Sequence, residues 1–226
     1  MKKSKVFITI GMVLLLFAAG LTGYNILDAR RAGKAAAEIL EQLEAERDSE
    51  ADPGQEGKDG DSDADDSGVD AEIMDELFPD REMPVKTING RDYIGVLEVP
   101  SQGLSLPVMS SWDYSGLNIS PCRYSGSLYK NNMVIAGHDY YTHFTPLKWL
   151  SLGDEIIFTD MDDQRYEFVV ADRQTLRPIQ VEEMTKDSDD WDLTLFTCTT
   201  DGSARYTVRC IRKQRAQSYE NGVLVY

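Results

Sequence analysis

From about residue 90 to residue 211 the chain is cut into short runs, either apolar or alternating polar with apolar, most of them bounded by turn residues. Tyr93–Val99 is stopped by Pro100. Leu104–Met109 follows, and its Pro107 favours a sheet edge, because proline has no N–H to give to a ladder. Met133–Ala136 comes after Asn131-Asn132 and runs into Gly137-His138. Glu155–Thr159, Arg165–Ala171, Leu193–Thr197 and Arg205–Ile211 complete the series. Arg165–Ala171 alternates with period two, the spacing at which every second side chain faces one side of a strand. Phe144–Leu150, apolar at 144, 147 and 150, has the spacing of a helical turn or two. Seven or eight short strands in about 130 residues, with one weak helix, imply a mainly β fold, a closed barrel or a sandwich. The stretch is long enough for one domain and too short for two.

Upstream of it lie segments of different character. Residues 6–27 carry no charge and are mostly Val, Ile, Leu, Phe, Met, Ala and Gly. About 20 such residues, rising about 1.5 Å each, cross a bilayer as a helix. Lys2, Lys3 and Lys5 precede the run, and basic flanks stay on the cytoplasmic side. Residues 1–5 are therefore expected in the cytoplasm, 6–27 as a single-pass anchor in the cell membrane, and the remainder outside. A cleaved signal peptide is the competing reading, since Ala18-Ala19-Gly20 offers small residues, but the run exceeds its usual core of about 7–15 residues. Residues 28–48 are rich in strong helix formers, with a narrow stripe of Ile39, Leu40 and Leu43. They are expected to form a helical stalk, solvated and without a partner.

The net charge of −16 is concentrated in residues 49–72, where ten acids face one lysine and contribute −9. That segment has almost no apolar side chain to offset its ordering entropy, so a disordered acidic linker is expected. The charge argues against nucleic acid as a partner, since phosphate binding needs a basic face. Ile73–Pro79, a short apolar patch, is expected to pack on the domain that follows, with a lid over a cleft as the other reading. On these boundaries the folded domain is 73–226, and residues 1–72 are expected to be dispensable for it.

Three cysteines do not make a disulfide framework. Cys122 and Cys210 read as small buried thiols, with pairing left open. Cys198 ends the Leu193–Thr197 run. A free thiol has its pKa near about 8.5 and reacts as thiolate, so a nucleophilic cysteine needs a basic or positive neighbour. The chain has two histidines. His138 follows Gly137 at the end of a buried strand, and His143 lies in the polar loop after it. Arg205 opens the run after Cys198, and Asp201-Gly202 between them is a hairpin signal that would fold the two together. A guanidinium there can stabilise a developing oxyanion. Arg209 lies at an even offset on the same strand and is the alternative, read as a charge on a solvated strand face.

The wording of these segments, Thr194-Leu195-Phe196-Thr197-Cys198, Arg205-Tyr206-Thr207-Val208 and Val134-Ile135-Ala136-Gly137-His138, resembles the sortases, membrane-anchored cysteine transpeptidases of Gram-positive bacteria. The resemblance covers about residues 90–213. It implies a closed sortase-type β-barrel of about eight strands with short helices. It assigns Cys198 as nucleophile, His138 as general acid for the leaving amine, and Arg205 as the clamp on the substrate carbonyl. Leu195 and Thr197 are carried over as substrate-binding positions. The implied reaction cleaves an LPXTG-like sorting signal of a secreted protein through a thioester and transfers it to a cell-wall or protein amine.

A class A, D or E-like enzyme is expected rather than class B, whose helical insertion exceeds the 171–192 segment, or class C. A membrane-anchored cysteine protease, a pilus-type sortase and an inactive binding domain are the competing readings. Some class A members bind Ca²⁺ through acidic loop residues, and Glu182, Glu183, Asp187, Asp189, Asp190 and Asp192 lie in the comparable region. Clustered carboxylates are ordinarily a solvated loop, so no metal or other cofactor is expected.

Overall fold

The computed structural model describes residues 2–51, 77–186 and 190–214. The acidic linker beyond residue 51 and residues 73–76 of the apolar patch lie outside the described residues. Nine strands are described: β1 (Lys86–Ile88), β2 (Arg91–Val99), β3 (Leu104–Met109), β4 (Cys122–Ser125), β5 (Met133–Ala136), β6 (Glu155–Asp160), β7 (Arg165–Leu176), β8 (Leu193–Cys198) and β9 (Arg205–Arg212). They pair in the order β1-β2-β3-β4-β5-β8-β9-β7-β6, and β6 returns to pair with β2. That last ladder, from Gly95↔Asp160 to Glu98↔Ile157, closes eight strands into a barrel, with β1 added outside β2. The β3–β4 and β5–β8 pairs are parallel and the others antiparallel.

The barrel interior is filled from alternate positions, among them Leu97 and Val99 of β2, Ile135 of β5, Leu193 and Leu195 of β8, and Val208 and Cys210 of β9. Full burial of side chains of this size stabilises by roughly 1.5–3 kcal/mol each. Gly95 is required where β2 meets β6: a Cβ there would stand 2.4 Å from the Phe158 ring and from the Thr159 carbonyl. Pro107 sits opposite Val96 in the β2–β3 ladder, while β3 meets β4 only at Met109↔Cys122. The missing N–H of Pro107 therefore costs that poorly paired side nothing. Cys122 and Cys210 are free and buried, in separate apolar clusters outside and inside the barrel. Burial pushes the Cys122 thiol up to about 12 and the Cys210 thiol up as well.

The solvated stalk is corrected. One helix, α1 (Lys2–Ala51), runs unbroken from the uncharged segment onto the barrel wall. Ala29, Ala32, Ala36, Ile39 and Leu43 are buried against it. Ile39 and Leu43 join Ile88, Tyr93, Met109 and Cys122 in one apolar cluster. The small residues at the N-terminal end of this stripe let the helix approach closely, and Gly33 abuts the Thr142 side chain. Residues 28–48 thus pack along the barrel instead of standing free of it. Leu77 and Phe78, the described end of the apolar patch, are exposed rather than packed. The chain joins the core at Met83.

Candidate active site

Strand β8 ends at Cys198 and β9 begins at Arg205, and the two are direct cross-strand partners. The turn between them is held by Thr199 N–H donating to the Ala204 carbonyl at 3.0 Å, with Gly202 in the left-handed region at φ 71°. This is the hairpin that Asp201-Gly202 signals. On the other side of β8, β5 runs parallel in the register Met133↔Leu193 to Ala136↔Phe196. Gly137 N–H continues it by donating to the Phe196 carbonyl at 3.0 Å. Extended by two residues, that register brings His138 level with Cys198. Gly137 has a steric reason: a Cβ would stand 2.5 Å from the buried Phe144 ring.

His138, Cys198 and Arg205 all line one cleft of about 250 Å³. Its floor is the outer face of β5 and β8, chiefly Ala136 and Phe196, and its wall is the short helix Val181–Thr185 with Val181 and Met184. Trp112 and Tyr124 extend it as an edge-to-face series ending on Phe196, with centroids 5.9 and 5.4 Å apart. A mostly apolar groove with a thiol, an imidazole and a guanidinium at one end can bind an extended peptide and attack its carbonyl. Cys198 is half-buried and unpaired. Arg205 is held by the Gly202 and Ala204 carbonyls at 3.4 and 3.1 Å.

His138 Nε2 lies 2.9 Å from Asn118 Oδ1, and its ring stacks on Tyr140 at 4.7 Å. Burial pushes its pKa below the usual value, and the Asp28 carboxylate opposes that shift. Asp28 belongs to α1 and accepts a 2.6 Å hydrogen bond from the Tyr140 hydroxyl. Next to His138, Asp139 accepts from Lys148 Nζ at 2.6 Å and Thr145 Oγ1 at 2.7 Å, and from Thr200 Oγ1 at 3.1 Å. Burial raises the Asp139 pKa, but these bonds outweigh it and leave the carboxyl below the ordinary range. Thr200 is in the Cys198–Arg205 turn, so Asp139 ties that turn to the histidine loop. Asn118, Asp139 and Asp28 escaped the sequence reading, because polar side chains in loops and on a helix carry no period.

Four residues are placed differently from expectation. Leu195 and Thr197, expected to bind substrate, point the other way: both are fully buried, and neither lines the cleft. The residues of β8 that do line it are Phe196 and Cys198, on the alternate face. Arg209 is not on a solvated face but 1% exposed. It donates to the Met184 carbonyl at 3.0 Å, Thr194 Oγ1 at 2.7 Å and the Glu183 carbonyl at 2.6 Å, pinning the wall helix. His143 is wholly buried rather than in an open polar loop, and burial pushes it down to about 4. Among the described residues no three acidic, His or Cys side chains converge as a metal site. Asp192 instead accepts from the Arg212 backbone N–H at 2.6 Å, and Asp187 and Asp189 lie outside the described residues.

A sequence model of the sortase domain matches residues 97–213. Over 148 residues the chain is 29% identical to sortase A of Bacillus anthracis, covering 62% of this chain and 69% of that one. Among solved structures, sortase C from Clostridium perfringens SM101 matches with TM-score 0.51 at 22% identity, over 80% of this chain and 98% of that one. Sortase A from Corynebacterium diphtheriae gives TM-score 0.49 at 20% identity, over 85% and 95%. The structural match carries the barrel, and the matched domain takes in Cys198, His138 and Arg205 with most of the strands that hold them. This chain belongs to the sortase family of cysteine transpeptidases.

Proposed function

We propose that Cys198 is the nucleophile, His138 the general acid–base and Arg205 the carbonyl clamp of a transpeptidase acting on an LPXTG-like C-terminal sorting signal. The observation that supports it is the register around β8. Cys198 faces Arg205 across one ladder and stands level with His138 beside the other, at the end of a single groove. The Cys198 thiol gives its proton to His138 as its sulfur attacks the threonine carbonyl carbon, and Arg205 hydrogen-bonds the oxygen as its charge develops. The C–N bond breaks, the glycine nitrogen leaves with a proton from His138, and a thioester remains. An acceptor amine then attacks the same carbon and gives a proton to His138, the C–S bond breaks, and the leaving sulfur takes that proton back as the thiol. Phe196 and the Trp112–Tyr124 series supply apolar surface for the signal's leucine and proline.

The acceptor is a cell-wall precursor amine or, in a pilus-type enzyme, a pilin lysine. The one short helix described between β7 and β8 favours a class A, D or E-like assignment over class B. The uncharged part of α1, consistent with a membrane anchor, is read as a single span with residues 1–5 inside and the barrel outside the cell. The test is mass spectrometry of a sorting-signal peptide incubated with the chain, with and without a glycine oligomer. An amine-dependent ligated product and a trapped thioester, both lost in Cys198→Ala, are expected. Hydrolysis alone at every amine concentration would establish the protease reading instead.

A further inference from the structure

Helix α1 is a ruler laid along the barrel. Asp28 is the first charge after the run of residues 6–27. At its level the helix meets the histidine loop: Tyr140 donates to Asp28 at 2.6 Å, and Thr142 Oγ1 donates to the Ala29 carbonyl at 2.8 Å. Further along, Asn89 Nδ2 donates to Gln42 Oε1 at 3.5 Å, and Arg47 pairs with Asp163. Asn89 is in the β1–β2 turn and Asp163 in the β6–β7 turn, so these turns mark the opposite end of the barrel. At about 1.5 Å per residue, Asp28 and Arg47 are separated by roughly 28 Å along the helix axis.

The same measure places the membrane. The hydrocarbon core is about 30 Å thick and takes about 20 residues. An uncharged run over residues 6–27 therefore ends with its last turn at the boundary between acyl chains and headgroups. Thr22, Asn25 and Ile26 from the last two turns of the run, with Ala29, line a second and more open cleft of about 610 Å³ together with His138, Tyr140 and Cys198. Tyr24 and Tyr141 are 62% and 52% exposed, and Tyr141 lines this cleft. Tyrosines with an apolar body and a polar tip concentrate at the lipid–water interface.

We propose that the end of the barrel carrying His138 and Cys198 rests on a phospholipid surface, with the Tyr141 loop in the headgroup layer. The contact rests on reading residues 6–27 as a membrane span. Its occupant is the bilayer itself, because the helix that lines the cleft continues into it without a break. The peptide groove and this second cleft reach Cys198 from different directions. A nucleophile that enters by the second cleft approaches along the membrane surface.

The experiment uses the full chain in phosphatidylcholine–phosphatidylglycerol nanodiscs. Cys198→Ala removes the accessible thiol and leaves Cys122 and Cys210 buried. Single cysteines are then added by Tyr141→Cys, Asp162→Cys at the far end, or Leu16→Cys within the span, and labelled with an environment-sensitive fluorophore. Lipids with a nitroxide on the headgroup are expected to quench the residue-141 probe at least threefold more than the residue-162 probe. Aqueous iodide should reverse that order. Equal quenching at 141 and 162 overturns the proposal, as does protection of 141 from iodide without headgroup quenching, which means another protein copy covers it. Acyl-chain nitroxides must quench the residue-16 probe. If they do not, the span reading fails and the lipid contact falls with it; if they do and 141 stays unquenched, only the lipid contact fails.

Discussion

Arg209→Lys is the substitution that separates the chemistry of the cleft from its architecture. One guanidinium nitrogen of Arg209 donates to the Met184 carbonyl and Thr194 Oγ1, and another to the Glu183 carbonyl. The group also lies 4.4 Å over the Trp191 ring. A single ammonium nitrogen cannot stand at both guanidinium nitrogen positions, so at least one of the three acceptors loses its donor. A hydrogen bond to a charged group contributes about 1.5–3 kcal/mol. The weaker stacking of lysine on tryptophan adds to the loss, and Arg209→Lys should destabilise the domain by about 2–4 kcal/mol. The helix it pins supplies Val181 and Met184 to the groove, so KM for the sorting peptide should rise several-fold while kcat is largely kept. Urea unfolding at constant m gives the first number and steady-state kinetics the second. A stability change below about 0.5 kcal/mol, the level of an ordinary surface change, would refute the pinning argument. Loss of kcat with stability intact would move Arg209 into the reaction itself.

Arg205→Lys keeps the charge but not the planar fork, and turnover should fall about 10²–10³-fold, the effect of losing one oxyanion donor, with the melting temperature unchanged. Near-normal turnover would end the clamp assignment. Gly137→Ala drives a Cβ into the buried Phe144 ring, and overpacking of that kind costs about 1–3 kcal/mol. It should also lower kcat by displacing His138; a variant with wild-type melting temperature and rate would contradict this. His143 has its folded pKa below its unfolded value of about 6.5, so between the two the unfolded chain binds more protons and stability is lost as pH falls. A drop to about 4 is worth roughly 3 kcal/mol across that window, and His143→Phe should flatten the melting temperature between about pH 4 and 6.5. An unchanged slope would assign the acid sensitivity to other groups.

How much of this was legible in the sequence depends on whether a residue's role leaves a period. The β3 and β5 boundaries were readable to the residue, because Pro100, Gly103 and the Asn pair punctuate them. Cys198 and Arg205 were legible because a strand end, a turn signal and a strand start stand in fixed order. Strand β4, Cys-Arg-Tyr-Ser, was not, since four mostly polar residues have no pattern and pair through β3 at a single position. Strand β7 was cut five residues short at Ala171, because the residues from Asp172 to Thr175 are polar and look like loop. Their pairing with β9 down to Leu176↔Arg205 is decided by the partner strand, not by local composition. Arg209 was misplaced for the same reason: an even offset from Arg205 gives its face, but only the helix over that face buries it.

The docked part of α1 shows the limit in a different form. Its apolar stripe was visible as Ile39 and Leu43, and its small residues Ala29, Ala32, Gly33 and Ala36 read as plain helix formers. Small residues are what a helix needs to lie close to a sheet, so the same letters serve a solvated stalk and a packed one. What distinguishes them is the opposite surface: Ile88, Tyr93 and Met109 face outward from the barrel and need a cover. Tyr93 and Met109 were assigned to strands with only one face in mind, and Ile88 to none. Once both faces are counted, the barrel is too apolar outside to stand alone at this wall, and the helix is its closest source of cover in the chain. The same docking sets Asp28 against Tyr140 and so places a carboxylate behind the stacked His138. The segment that reads as a solvated stalk is therefore a wall of the domain and part of the electrostatic setting of its histidine.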